Sequence, residues 1–163
     1  MECTERYDNS PLKASTTEWE SGRPALVATT TGTPAMFAAY QFERVFVGSF
    51  VNFSSLVGAL AAYDGPITLI PAAVPEWQHV EDEIACHSVA TALEGFSNIP
   101  DFVRQCAEAG RERILASPRP THLAGKLATG ADDVRLSLEI DRFPQLLSLR
   151  FDGSLLAEVI KEG

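Results

Sequence analysis

Two stretches place hydroxyl and amide side chains beside a glycine: Thr29-Thr30-Thr31-Gly32-Thr33 and Gly48-Ser49-Phe50-Val51-Asn52. Each follows a short apolar or β-branched run and leads into a helical pattern. Thr33 is a good N-cap with Pro34 at the first helical position. Asn52 caps the apolar set Phe53, Leu56, Val57 and Leu60, spaced i, i+3, i+4, i+7. A strand, a glycine-containing turn and a helix start together present donors suited to an anion. Two ordinary strand–helix connections have the same pattern, and such turns outnumber phosphate sites. The third candidate is the acidic pair Glu81-Asp82. Asp82 lies four residues before Cys86 on a stripe continued by Val89, Ala90 and Leu93, so it needs a metal, an arginine or backbone donors if it is buried. The simpler reading is an acid complementing the dipole of a helix start. His79, His87 and His122 are too scattered for a zinc set. The first two lie four residues from Glu83, a helical ion-pair spacing. Gly-x-Ser-x-Gly, Walker A and Gly-x-Gly-x-x-Gly patterns are all missing, which removes the hydrolase-elbow and nucleotide-loop readings.

The elements that must position these residues belong to a chain of 163 residues, 45% hydrophobic and 21% charged, which is the size and profile of one globular domain. Its net charge of −9 argues against nucleic acid as a partner. An enzyme for a small anion would therefore need a local cation, either a divalent metal or arginines, of which there are ten against three lysines. No apolar run has the length of a membrane span, and the N-terminus lacks the basic-then-apolar pattern of a signal peptide. Cys3, Cys86 and Cys106 show no metal-ligand spacing and are odd in number, which points to a reducing, cytoplasmic setting.

Residues 1–23 are polar and turn-rich and predict a loosely held arm; residues 24–163 form the domain. Strands are expected at about 25–30, 44–48, 67–70 and 146–151. Helices are expected at about 33–41, 52–63, 80–94, 99–116 with an interruption at Gly110, 122–128 and 131–140. The loop 72–79 joins the third strand to the acidic helix. This order predicts an α/β fold, a three-layer α/β/α arrangement with a mainly parallel or mixed sheet. Ligands in such folds gather at the carboxyl ends of the strands, here 29–33, 48–52 and 72–82.

The motifs Asn9-Ser10-Pro11, Thr29-Thr30-Thr31-Gly32-Thr33, Gly48-Ser49-Phe50-Val51-Asn52 and Glu81-Asp82, with the tail Asp132-Asp133-Val134 to Asp141-Arg142-Phe143, resemble in order and spacing the 2-phosphosulfolactate phosphatase family. The resemblance covers nearly the whole chain, which corresponds to roughly the C-terminal two-thirds of the family pattern. It implies a layered α/β fold and Mg²⁺-dependent hydrolysis of a small phosphate monoester. That substrate would be 2-phosphosulfolactate, an intermediate of coenzyme M biosynthesis, or a related phosphorylated hydroxy acid. On that reading Asp82 and Glu81 hold the metal and serve catalysis, while Thr30, Thr31, Gly32, Thr33, Ser49 and Asn52 bind phosphate. Three departures stand out. A family segment of the type Asp-Val-Leu-Arg-Ala-Thr has no counterpart, a family Asn is Thr31, and a family Gly after the Glu-Asp helix start is His87. They support an alternative, a non-catalytic small-anion binder or partner subunit. With few apolar residues in the arm (Tyr7, Leu12 and Trp19), the first strand should be covered by a second copy or a partner chain.

Overall fold

A computed structural model of the chain describes residues 9–18, 27–73, 80–95, 98–126, 128–151 and 157–161. Its elements, in order, are helix α1 (Pro11–Thr16), α2 (Gly32–Ala38) with a 3₁₀ turn at Ala39–Gln41, and strand β1 (Phe46–Val47). A 3₁₀ turn at Phe50–Asn52 then leads into α3 (Phe53–Ala61). Helices α4 (Val80–Glu94), α5 (Pro100–Leu115), α6 (Arg119–Ala124) and α7 (Gly130–Ser137) follow, and strands β2 (Leu147–Phe151) and β3 (Ala157–Lys161) come last. Among the described residues no helix is long and apolar enough to cross a membrane.

The core is helical. Phe50, Phe53, Leu56 and Val57 pack with Ile84, Val89 and Ala92 of α4 and with Val103, Cys106, Ala107 and Ile114 of α5. Helix α5 starts with Pro100 at its first position and Asp101 in its first turn, both favourable there, and carries Arg113 in its last turn. It runs through Gly110 without the expected interruption. Gly110 is buried because α4 crosses it closely: a Cβ there would collide with Ser88 Oγ and lie 3.1 Å from Phe50 Cζ. The missing side chain is thus a packing device rather than a helix stop.

The chain mixes helix and strand, but the described sheet is small and antiparallel, in the order β1-β2-β3, rather than the mainly parallel or mixed central layer expected from the sequence. Phe46 pairs with Ser148 and Val47 with Leu147; Leu149 pairs with Val159 and Phe151 with Ala157. Two expected strands are corrected. Of 25–30, residues 27–30 are irregular, and 25–26 lie outside the described residues. Thr29 makes reciprocal hydrogen bonds with Thr33 instead of joining a ladder. Residues 67–70 are also irregular; Pro66 and Pro71 bracket them, and proline supplies no ladder donor.

The polar arm also holds structure. Ser10 caps α1 by accepting from the Lys13 N–H (3.2 Å), with Pro11 at the first helical position. One oxygen of Asp133 on α7 accepts from Ser10 Oγ (2.7 Å) and the Leu12 N–H (2.9 Å), and its other oxygen from Thr129 Oγ1 (2.8 Å). The remainder of the arm, 1–8 and 19–23, lies outside the described residues.

The connection from α7 to β2 clamps the start of α3. Asp141, at a φ of 56° that an Asp tolerates, accepts from Ser54 N–H (2.8 Å) and Ser54 Oγ (2.6 Å) and donates its own N–H to Phe50 O. Phe143 N–H donates to Val51 O. The Gly48–Asn52 turn is thereby fixed between β1 and the chain at 141–145.

Candidate functional site

A cleft of about 570 Å³ opens between α2, β1, α3, the segment 66–72 and α4. It gathers Gly32 from the first of the three expected stretches and Gly48 and Ser49 from the second, but only Ala72 from the third, 72–82; Pro66 to Ile70, from the run expected as a strand, complete that side. They converge by irregular backbone and helix starts rather than at the ends of parallel strands. Ala85, Cys86 and Val89 of α4 close the far wall. The loop 74–79, with His79, lies outside the described residues.

The hydroxyl and amide groups divide between fold and cleft. Thr29 N–H donates to Thr33 Oγ1 (2.8 Å) and Thr33 N–H donates to Thr29 Oγ1 (3.0 Å), so the two threonines close the turn that starts α2. Thr31 occupies the N-cap position without a side-chain capping bond, Thr30 is exposed, and neither lines the cleft. Gly32 does, and Thr29 Oγ1 would lie 2.9 Å from a Cβ added there.

Ser49 and Asn52 form a capping box. Asn52 Oδ1 accepts from Ser49 N–H (2.9 Å), while its Nδ2 donates to Val47 O (3.0 Å) and Gln145 O (3.2 Å). Both ends of this buried amide are committed to holding the turn, and Asn52 is not on the cleft wall, whereas Ser49 is. Gly48 lets the turn lie against Leu56, whose Cδ2 occupies the place of a side chain.

The acidic pair sits in the first turn of α4 with Glu83. Glu81 is held by Arg119 at the start of α6: Nε lies 2.8 Å from both carboxylate oxygens and a terminal nitrogen lies 2.7 Å from one of them. The side chains are only 21% and 10% exposed, so this pair is far better shielded than the surface pairs of α5 and α7. Asp82 is half-buried and sits one turn before Cys86. Burial raises the Cys86 thiol above its ordinary value, and the Asp82 and Glu83 charges raise it further, so the thiol facing the cleft stays neutral. Among the described residues no three His, Cys, Asp or Glu cluster to hold a metal. Mg²⁺ commonly takes one or two protein carboxylates, completing its shell with water and substrate phosphate. Asp82 fits that donor chemistry; Glu81 does not, because Arg119 occupies both of its oxygens.

Two arginines escaped the sequence reading. Arg119 stands in a Ser-Pro-Arg-Pro break whose only local signal is a chain stop, 38 residues from its partner. Arg44 lines the cleft with its guanidinium 5.0 Å above the Phe46 ring. The excess of arginine over lysine is the one sequence signal for such a local cation.

The family model described as 2-phosphosulpholactate phosphatase matches residues 5–149. The chain belongs to this phosphatase family. No curated protein and no solved structure gives a significant match. The matched span includes every motif of the family resemblance. Within this phosphatase-family chain two of those motifs meet: Ser10 of Asn-Ser-Pro donates to Asp133 of the C-terminal acidic pair, 123 residues away. At 4% and 8% exposure the two residues form a buried structural junction inaccessible to a substrate.

Proposed function

We propose that the protein is a phosphatase acting on a small phosphate monoester in the cleft, with the Gly32 turn and Ser49 receiving the phosphate and Asp82, on the adjoining face of α4, holding Mg²⁺. The observation that carries this reading is the convergence of Gly32, Gly48 and Ser49 on one concave surface, beside the α4 face that carries Asp82 one turn from Cys86. Family membership supports the reaction class. Asn52 is a positioning residue that sets the Ser49 turn. Glu81 is a positioning residue that, through Arg119, fixes the start of α4 and hence the backbone of Asp82. The Ser49 hydroxyl can donate to a phosphate oxygen, and the apolar walls exclude bulk water, which strengthens polar contacts made inside. Bound Mg²⁺ would supply neutralisation of phosphoryl charge and activation of a water. The family substrate and related phosphorylated hydroxy acids belong in the first assay panel. Coverage of the cleft by a second copy or partner chain is the competing reading, favoured by the exposed Tyr63, Ile67 and Ile70 at its edge.

The test is phosphate release from a panel of monoesters with and without Mg²⁺, for wild type and Asp82→Asn, with Mg²⁺ binding followed by calorimetry. An amide of the same shape loses most of the Coulomb attraction for a dication. The variant should keep its circular dichroism spectrum and lose both Mg²⁺ binding and Mg²⁺-dependent turnover. Unchanged binding and turnover in the folded variant would reduce Asp82 to a helix-start acid.

A further inference from the structure

The walls of the cleft bear on which phosphate ester it takes. Met36, Phe46, Leu60, Ile67, Leu69 and Val89 all face it. Its volume of about 570 Å³ lies inside the range of roughly 300–1,000 Å³ typical of small-molecule pockets. Among the described residues two charged ones line it, the neighbours Glu43 and Arg44. Among the described residues no carboxylate pairs with Arg44, whose guanidinium is steadied over Phe46. Cys86, kept neutral by burial and its acidic neighbours, adds no charge.

The described walls therefore offer one positive group, one negative group and a largely apolar surface. A ligand carrying a carboxylate and a sulfonate besides its phosphate would bury anionic groups against methionine and leucine without partners, at a heavy desolvation cost. A ligand with a single anionic head can place it toward Arg44 and Ser49 and bury its remainder favourably. We propose that the cleft selects a phosphate monoester with an apolar body, an alkyl or aryl phosphate, over multiply charged hydroxy acids. This rests on the phosphatase reading above and names its substrate class.

Two measurements test it. In the first, kcat/KM is compared for phenyl phosphate, butyl phosphate and 2-phosphosulfolactate. The expected preference for the apolar esters is at least about tenfold, since even one well-placed methylene can be worth that much. In the second, calorimetry follows phenylphosphonate, which is not hydrolysed, with wild type, Arg44→Ala and Ile67→Asp. Both side chains are exposed to a third or more, so the variants should fold. Each should weaken binding at least about tenfold, or roughly 1.4 kcal/mol. A preference for 2-phosphosulfolactate, or phenylphosphonate binding unaffected by both substitutions, overturns the proposal. Turnover favouring 2-phosphosulfolactate leaves the phosphatase reading standing and removes this one. Phenylphosphonate bound through Arg44 and Ile67 without turnover of any ester removes the phosphatase reading and leaves the ligand class standing. If wild type self-associates, Ile67→Asp makes it monomeric and neither form binds phenylphosphonate, the cleft is an interface between copies and the proposal falls.

Discussion

At the junction of α1 with α7, one buried carboxylate receives three donors from Ser10, Leu12 and Thr129. In the cleft, a guanidinium rests on an aromatic ring beside a wall of methionine, leucine and isoleucine. Both regions contain residues of motifs that the family resemblance singles out, Ser10 and Asp133 in the first and Gly32, Gly48 and Ser49 in the second. The difference lies in how far the polar groups are already satisfied. Asp133 spends both its oxygens on the fold, and a buried polar group with full partners rigidifies a structure and offers little to a ligand. The cleft keeps its Arg44 guanidinium at a concave, partly exposed surface, where a ligand has something to gain.

The largest expected effect belongs to the junction. Asp133→Ala leaves Ser10 Oγ, the Leu12 N–H and Thr129 Oγ1 without their acceptor, and should cost about 3 kcal/mol in urea unfolding. A loss below about 0.5 kcal/mol, the ordinary scale of a surface substitution, would break the contrast by making the junction dispensable. Asn52→Ala should cost about 2 kcal/mol by stripping the Ser49 turn of its amide bonds. Because Asn52 acts through Ser49, the folded fraction should still bind phenylphosphonate, with an altered affinity that Asn52→Asp partly rescues through the retained acceptor.

A smaller effect follows from pH. Burial alone would raise the Asp133 carboxyl; the hydrogen bonds from Ser10, the Leu12 N–H and Thr129, with the Lys13 charge, outweigh it and hold the group below its ordinary value. A carboxyl whose folded value is depressed contributes stability that is fully present above its unfolded value, near 3.8, and is lost as pH falls through the folded value. The wild type should therefore lose stability below about pH 4, and Asp133→Asn, already weaker at neutral pH, should lose less over that interval. The check is a pair of urea titrations at pH 6 and pH 3; equal losses in both proteins would remove Asp133 as the source. Smallest is Arg119→Ala, about 1 to 2 kcal/mol for a largely shielded ion pair. It should leave phenylphosphonate affinity nearly unchanged, since neither Arg119 nor Glu81 lines the cleft.

The long helices were legible because their signals are local. The acidic first turn and the apolar stripe place α4 at 80–94, and it is found at Val80–Glu94. Pro100-Asp101 likewise marks the start of α5. Gly110 was misread because a helix-breaking residue and a helix-packing residue look alike until the crossing of α4 is known. The runs at 25–30 and 67–70 are apolar enough for strands, but a strand also needs a ladder partner, which no local pattern specifies. The same gap hid β3, whose Val159 is exposed and whose register depends on β2. For the site, Gly32 and Ser49 reach the cleft as their turns suggest, while Asn52 and Thr33 are consumed in making those turns. The pairing of Glu81 with Arg119 joins residues with no shared sequence pattern, and Arg44 is a single cation at a strand entrance, with no spacing to mark it.

The claim that binding belongs to the cleft and structure to the junction is tested most directly by following backbone amide resonances while phenylphosphonate is titrated in. Saturable shifts are expected at Gly32, Gly48, Ser49 and Cys86, with Ser10, Leu12 and Asp133 unmoved. Shifts centred on Ser10, Leu12 and Asp133, or no saturable shift at the cleft residues, would contradict it.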